Sequence, residues 1–267
     1  MPQRWNLRTS VYQWFAFVIV FCAVQSIAIG NEPTTLRVLS YNIHHGEGND
    51  GRFDLDRLAK IIQDSGADLV SLQEVDMRTA RSGGVHQLDS LRQAANFPFA
   101  YFGKAIDFQQ GEYGNAVLSK WPATAVCNVQ LPQVQPSERR AALFVEFSFF
   151  ETPIWFVATH LDAFNQANRT EQAAAIVRQC QFRPNVVLAG DLNSVRSSAP
   201  MQLFQQTLTL CGEERATSPA HKPVRQIDYV AYRSRHLNVV NVEVLDQPVA
   251  SDHLPLLVTL QWHSTGQ

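Results

Sequence analysis

The fold is decided by residues 36–75, which run LRVLSYNIHHGEGNDGRFDLDRLAKIIQDSGADLVSLQEV. Residues 36–42 alternate in polarity with β-branched and aromatic side chains, residues 67–75 are largely apolar, and each pattern predicts a strand. Between them, leucines and isoleucines recur at helical spacing, with Asp54 placed to cap the helix and Gly66 to end it. A strand, a helix and a strand within about 40 residues predict parallel neighbouring strands joined by a right-handed crossover.

The rest of the chain adds many strands and few helices. Apolar stretches bounded by Pro and Gly predict strands over 99–102, 115–119, 123–131, 141–149, 153–160, 186–191, 226–232, 237–245 and 255–262. Helical spacing predicts helices over 166–179 and 200–207. Strands in this excess predict an α/β (α+β) fold in which two packed mixed β-sheets are flanked by helices.

Residues 1–30 have the composition of a targeting segment. Arg4 and Arg8 precede an uncharged apolar run over 14–24, and small residues stand just before the expected cut. This pattern predicts a signal peptide. The alternative is an N-terminal membrane anchor, although the run is shorter than the roughly 20 residues that span a bilayer. In both cases we expect an exported protein, secreted or periplasmic, with residues 31–267 forming one domain.

The charge balance bears on the partners of this domain. The chain has 22 Lys and Arg against 24 Asp and Glu, and residues 1–30 hold two of the basic residues and none of the acidic ones. Proteins that bind nucleic acid tightly usually carry a basic excess or stripe, which is not evident here. We therefore expect no stable nucleic-acid binding, although this balance does not argue against hydrolysis of nucleic acid. We also expect a monomer.

Cysteines give little information about the site. After residue 30 the chain keeps Cys127, Cys180 and Cys211, an odd number without a CxxC spacing. This spacing indicates neither a disulfide framework nor a zinc site. We expect buried free thiols, with one disulfide bridge as the alternative in an oxidising compartment.

Polar side chains recur at or near the ends of the predicted strands. They are Asn42, Glu74, His160, Asp191, Asn193, Asp228, Asp252 and His253. Each alone is compatible with a helix cap or a buried hydrogen bond, but such a set is costly to bury unless a metal ion or a charged substrate compensates it. Oxygen ligands without cysteine suit Mg²⁺ or Mn²⁺, while Asn and His can donate to phosphate oxygens. The set predicts metal-dependent hydrolysis of a phosphoester.

Six motifs in order make a family resemblance specific. The chain is similar to the endonuclease/exonuclease/phosphatase family, the DNase I-like superfamily, through LSYNIHHG, LQEVD, ATHLD, LAGDLNS, IDYV and SDHLPL within residues 36–262. The resemblance implies a four-layered α/β sandwich with the site at one rim. It also implies in-line attack by water on a phosphomonoester or phosphodiester, whose source is a small molecule, a lipid headgroup or nucleic acid.

The resemblance assigns roles to the strand-end residues. The implied metal ligands and their support are Glu74, Asn42 and Asp252. The residues implied to act on water and on the phosphoryl group are Asp191, Asn193, His160, His253 and Asp228. In this assignment Asp191 deprotonates the attacking water, and His253 contacts the phosphate while Asp228 holds its ring.

Substrate contacts are expected from loops near the same strand ends. The candidates are Asn115, Arg78, Arg81, Arg139 or its neighbour Arg140, and His44. Several nucleases of the family have an Asp where this chain has His44, which weakens an assignment as an exported DNase I-like endonuclease. A catalytically inactive binding module is the third alternative, but it would be expected to lose residues such as Glu74 and Asp191.

Overall fold

The computed structural model describes Met1 and residues 35–263. The expected signal peptide or anchor over residues 1–30 therefore lies outside the described residues, apart from Met1. Residues Pro33–Gln267 form one compact unit. Within the described part of the chain, no helix is long and apolar enough to cross a bilayer.

The described residues form twelve strands and four helices. The strands are β1 (Thr35–Asn42), β2 (Leu69–Met77), β3 (Phe99–Phe108), β4 (Gly111–Ser119), β5 (Ala123–Gln130), β6 (Ala141–Phe149), β7 (Thr152–His160), β8 (Val186–Asp191), β9 (Thr209–Leu210), β10 (Asp228–Arg233), β11 (Leu237–Val244) and β12 (Leu256–Trp262). The helices are α1 (Leu55–Asp64), α2 (Gln87–Ala94), α3 (Gln166–Cys180) and α4 (Ala199–Gln205).

The strands form two mixed sheets of six strands each. The first sheet has the order β11-β12-β1-β2-β4-β3, and the second has the order β5-β6-β7-β8-β10-β9. Within the first sheet β1 and β2 are parallel, as the sequence predicts, and within the second β7 and β8 are parallel. The neighbouring parallel strands at the middle of each sheet end at one rim, which is where the polar strand ends meet.

Three apolar layers hold these sheets and helices together. The core between the sheets includes Val38, Val258 and Phe156. The helices α1 and α2 pack their buried leucines and isoleucines against the outer face of the first sheet, and α3 and α4 cover the second sheet in the same way. Each large apolar side chain that is fully buried contributes about 1.5–3 kcal/mol. The predicted four-layered α/β sandwich is confirmed.

Helix α1 shows how local signals set the crossover. Asp54 accepts a hydrogen bond from the backbone N–H of Arg57 at 2.9 Å, so it caps the helix as predicted. Leu58 and Ile62 lie on the buried face. Gly66 follows the helix at φ +62°, a left-handed conformation that glycine adopts without strain. The chain then enters β2 parallel to β1.

Helix α2 and strands β3, β4 and β9 differ from the sequence prediction, and the two-residue β9 was not predicted at all. Helix α2 was not predicted. The hydrophobic residues that it buries are Leu88 and Leu91, and two residues are too few to show a clear helical spacing. Strands β3 and β4 are longer than expected and meet in a hairpin whose turn places Gln109 and Gln110 at positive φ. Glutamine is not typical of such turns, so the sequence did not indicate a turn at this position.

The three described cysteines are free thiols. Cys180 and Cys211 are buried as expected, and burial raises the pKa of each thiol to about 12. Cys127 is exposed on β5, so the expectation of burial is wrong for this residue. Its strand is at the edge of the second sheet, and Val126, Cys127 and Asn128 are all exposed there.

Gly190 is a point of close approach between β7 and β8. A Cβ atom at this position would overlap the backbone carbonyl of Thr159 on the neighbouring strand. We expect Gly190→Ala to lower the free energy of unfolding by about 1–3 kcal/mol, because the strands would have to separate to admit the methyl group. Chemical denaturation measures the loss. Ser148→Ala, at an exposed position of the same sheet, should change stability by less than about 0.5 kcal/mol.

Candidate active site

Glu74 reaches the site from a β-bulge and not from the end of its strand. The pairing of β2 with β4 shifts register between Leu72 and Val75, and Glu74 has φ +61°. Positive φ is uncommon for residues other than glycine and is concentrated at functional sites. The strand continues to Met77 beyond the bulge, so the irregularity places a carboxylate in the cavity while the sheet remains paired.

Asn42 connects the carboxylates of the two sheets. Its Nδ2 donates to Glu74 Oε1 at 3.0 Å and lies 3.2 Å from Asp191 Oδ2. Its Oδ1 accepts from the backbone N–H of His44 at 3.0 Å. Both ends of the amide are therefore engaged within the protein. Asn42 thus links Glu74 on the first sheet to Asp191 on the second.

Asp191 lies at the centre of the site. It ends β8, and its Oδ1 accepts from the backbone N–H of Asn193 at 2.9 Å. His160 Nε2 is 3.4 Å and His253 Nε2 is 3.7 Å from Asp191 Oδ2. Burial raises the pKa of the Asp191 carboxyl above its usual range, and the nearby His253 partly offsets this effect. A carboxylate with a raised pKa is suited to accept a proton near neutral pH.

His253 is held by a buried carboxylate. Its Nδ1 is 2.8 Å from Asp228 Oδ2, and Asp228 is fully buried at the start of β10. The hydroxyl of Thr217 donates to the same Asp228 oxygen at 2.6 Å. Burial opposes the charge on His253, but Asp228 and Asp191 outweigh it and raise the pKa of the imidazole well above its usual range. The His253–Asp228 pair that the resemblance implied is therefore present, with Thr217 as an addition.

Two groups of side chains are candidates to hold a metal ion. Asp191, Asp228 and His253 offer ligand atoms within 4.8 Å of one another and could hold a metal ion, although His253 Nδ1 already contacts Asp228 Oδ2 at 2.8 Å and its Nε2 lies 3.7 Å from Asp191 Oδ2. Glu74 and Asp252 both line the cavity with carboxylates. Burial opposes ionisation of Glu74, but the His45 ring and the Asn42 amide hold its pKa well below its usual range. Ionised oxygen donors of this kind fit a hard divalent cation.

The site opens into a cavity of about 390 Å³. That volume lies within the range of small-molecule sites in proteins. Its lining brings together side chains from both sheets and from the loops at this rim. The lining residues are Glu74, Arg81, Phe108, Tyr113, Glu138, Arg140, His160, Ala163, Phe164, Asn193, Ser218, Arg225, Ile227, Asp252 and His253.

Of the expected substrate contacts, Arg81 is in the lining. Its guanidinium binds both oxygens of the buried Asp76, at 2.7 and 2.8 Å, and lies over the Phe108 ring. This bidentate pair fixes the side chain in place beside the cavity. Arg81 therefore contributes a positioned positive charge at the cavity wall.

The other expected contacts lie outside the lining. Asn115 is buried and donates to the carbonyl of Ala141 at 2.8 Å, which joins the two sheets. Arg78 is exposed at φ +62°. The ring of His44 contacts the carbonyl of Glu47 at 3.0 Å. These three residues do not line this cavity, because local hydrogen bonds or backbone conformation direct them elsewhere, and a substrate contact by them stays a prediction.

Arg139 and Arg140, which precede β6, differ in whether they line the cavity. Arg139 is exposed and outside the lining, whereas Arg140 is buried and within it. Adjacent residues in extended chain point to opposite sides, so one of the two had to face away. Of the two candidates, Arg140 is therefore the one that faces the cavity. His45 was also missed: its Nδ1 is 4.0 Å from Glu74 Oε2, and its place next to His44 in the first motif was the available signal.

Comparison with known proteins now identifies the family. Residues 39–253 match the model of the endonuclease/exonuclease/phosphatase family. The chain belongs to this family. It is also 27% identical, over an alignment of 250 residues, to YbhP of Escherichia coli (strain K12), an uncharacterized protein, and the alignment covers 83% of this chain and 94% of that one.

Solved structures of the endonuclease/exonuclease/phosphatase family share this fold. The family protein of Beutenbergia cavernae DSM 12333 superposes with a TM-score of 0.75 at 25% identity, covering 86% of this chain and 72% of that chain. A mannosyl-6-phosphatase of Bacteroides thetaiotaomicron superposes with a TM-score of 0.70 at 18% identity, covering 85% and 100%. The second likeness, at this identity, concerns the fold alone.

Proposed function

We propose that this chain is a Mg²⁺-dependent phosphoesterase that hydrolyses a phosphomonoester or phosphodiester by in-line attack of an activated water. One observation carries the proposal. Two cavity carboxylates, a buried base and two histidines meet at one rim, on a chain of a family whose members hydrolyse phosphoesters. The cavity volume and the acidic balance of the chain favour a small-molecule substrate over a nucleic acid.

Asp191 is the proposed base of this reaction. Its raised pKa and its central position suit it to take a proton from the attacking water. The backbone N–H of Asn193 holds one Asp191 oxygen at 2.9 Å, which leaves the second oxygen on the side of His160 and His253. A water hydrogen-bonded to that second oxygen would be oriented toward the phosphorus.

The cations and amides of the lining act on the phosphoryl oxygens. His253, kept charged by Asp228, donates to the oxygen where negative charge develops. Asn193 Nδ2 lies at the same wall, 3.0 Å from His160 Nε2. These donors are fixed before substrate arrives, so little reorganisation is needed in the transition state.

Mg²⁺, with Mn²⁺ as a substitute, would be held by Glu74 and Asp252, and its chemistry is to neutralise charge on the phosphoryl group. Asn42 orients Glu74 for this purpose through its Nδ2. Both carboxylates are at the cavity surface, where a partly hydrated cation can remain in contact with water.

A substrate panel tests the proposed function. The protein should be assayed with and without Mg²⁺ against sugar phosphates, inositol phosphates, nucleotides, sphingomyelin and supercoiled plasmid. We expect Mg²⁺-dependent release of phosphate or headgroup from a small phosphoester, because the cavity admits one. The mannosyl-6-phosphatase with the same fold makes a hexose phosphate a useful member of the panel. Rapid plasmid nicking with no turnover of small phosphoesters would instead support a nuclease.

The location of the protein is a separate proposal. The basic and apolar pattern of residues 1–30 supports export, with cleavage near residue 30 or retention as an anchor. Cell fractionation and N-terminal sequencing of the exported form test it. Recovery of the intact chain in the cytoplasm would contradict export.

A further inference from the structure

Arg140 is a buried cation that the proposed chemistry has not yet used. It directly precedes β6, lines the cavity and is 6% exposed. Its Nη1 is 2.8 Å from Glu138 Oε1 and 3.2 Å from His160 Nδ1. Its Nε is buried and has no hydrogen-bond partner among residues 35–263. A buried charge in direct contact with a site histidine calls for a physical reason.

We propose that Arg140 is a positioning residue that fixes His160 as a neutral imidazole with its proton on Nε2. The proposal rests on the phosphoesterase function inferred above, because His160 is placed at the wall of that site. The two histidines of the site would then face different partners, with His253 Nδ1 against the Asp228 carboxylate and His160 Nδ1 against the Arg140 guanidinium.

The guanidinium of Arg140 can donate hydrogen bonds but cannot accept them. It carries five N–H donors, has no acceptor and keeps its charge in proteins. The His160 Nδ1 atom that faces Arg140 Nη1 must therefore accept, which leaves the proton of a neutral ring on Nε2. Burial and the Arg140 charge hold the pKa of His160 well below its usual range, in agreement with a neutral ring.

A second donor competes for the same ring. Asn193 Nδ2 is 3.0 Å from His160 Nε2 and 3.1 Å from the carbonyl of Leu161. A neutral imidazole accepts at one nitrogen only, so it can accept from either Arg140 or Asn193. The charged donor forms the stronger bond, and Asn193 retains Leu161 as an acceptor. Asp191 Oδ2, 3.4 Å from Nε2, supplies an acceptor for the Nε2 proton.

The two histidines of the site would therefore have different roles. His253 faces the carboxylate of Asp228 through Nδ1, which favours the cation. His160 faces an arginine in the equivalent position, which favours the neutral ring. A neutral Nε2–H can donate to a phosphoryl oxygen or to Asp191 without adding a second positive charge beside the base. Asp191 thereby keeps more of its basicity.

Nitrogen NMR of the unmodified full chain tests the proposal directly. Long-range ¹H–¹⁵N correlations at pH 7 report which ring nitrogen carries the proton, and His160→Gln assigns the signal. We expect a protonated Nε2 and an unprotonated Nδ1. A proton on Nδ1, or on both nitrogens, would overturn the proposal. The measurement needs no substrate, so it stays decisive even if the protein hydrolyses no phosphoester.

Kinetics of Arg140→Met test whether Arg140 acts through His160. We expect kcat to fall about 10- to 100-fold with KM changed less than about threefold. In a His160→Ala background the same substitution should change kcat less than about twofold. A large further loss there, or a loss mainly in KM, would show direct substrate binding and overturn the proposal. Arg178→Met, at an exposed arginine of α3, is the control and should behave like the unmodified protein.

Discussion

Glu74→Gln is expected to lower kcat/KM for Mg²⁺-dependent hydrolysis by about 10³-fold. Glutamine keeps the shape of the side chain and still offers Oε1 to Asn42 Nδ2, which now donates to Glu74 at 3.0 Å. What is lost is the negative charge that would hold the cation. The Mg²⁺ concentration for half-maximal activity should therefore rise strongly. Steady-state kinetics over a Mg²⁺ titration measure both effects.

A control variant at another carboxylate separates the loss of a metal ligand at Glu74 from a general loss of negative charge. Glu112 on the neighbouring strand β4 forms an exposed ion pair with Lys104 at 3.1 Å and lies outside the cavity lining. Glu112→Gln should leave kcat/KM within about twofold, since exposed ion pairs contribute little. Near-normal activity of Glu74→Gln at low Mg²⁺ would falsify the assignment of Glu74 as a metal ligand.

Asp191→Asn is expected to reduce kcat by about 10²- to 10⁴-fold, because the amide cannot accept a proton from the attacking water. Its Oδ1 can still accept from the backbone N–H of Asn193. The thermal midpoint should stay within about 4 °C of the unmodified protein, the shift that roughly 1 kcal/mol produces in a domain of this size. Kinetics at saturating Mg²⁺ and a thermal melt provide the two measurements.

An exposed carboxylate provides the control for Asp191→Asn. Asp107 carries an exposed carboxylate paired with Lys104 at 3.0 Å, so Asp107→Asn should leave kcat unchanged. If Asp191→Asn keeps most of its activity, another group takes the proton. If instead the melt collapses, the carboxylate is primarily structural, and the assignment of Asp191 as the base loses its support.

The strands that the sequence predicts best are those buried on both faces. Residues 141–149 and 186–191 were predicted with their observed bounds, because every position or nearly every position is apolar. Helix α2 could not be found in this way, since it is stabilised by docking Leu88 and Leu91 on the first sheet and has no strong amphipathic pattern of its own.

The site was predictable where backbone topology alone decides position. Asn42, His160 and Asp191 end strands at one rim, and parallel strands bring such ends together. The sequence could not decide between Arg139 and Arg140, because alternation along an extended chain has two phases and packing selects one. It also could not reveal the bulge at Glu74, which depends on the register of pairing between two strands.

The polar groups of the site are divided between the two sheets, with Asn42 and Glu74 on the first and His160, Asp191 and Asp228 on the second. Neither sheet alone carries the complete site. Thermal inactivation should therefore coincide with cooperative unfolding of the whole domain and show no earlier, local transition. The working lifetime of the protein is then governed by the rate at which the two sheets separate.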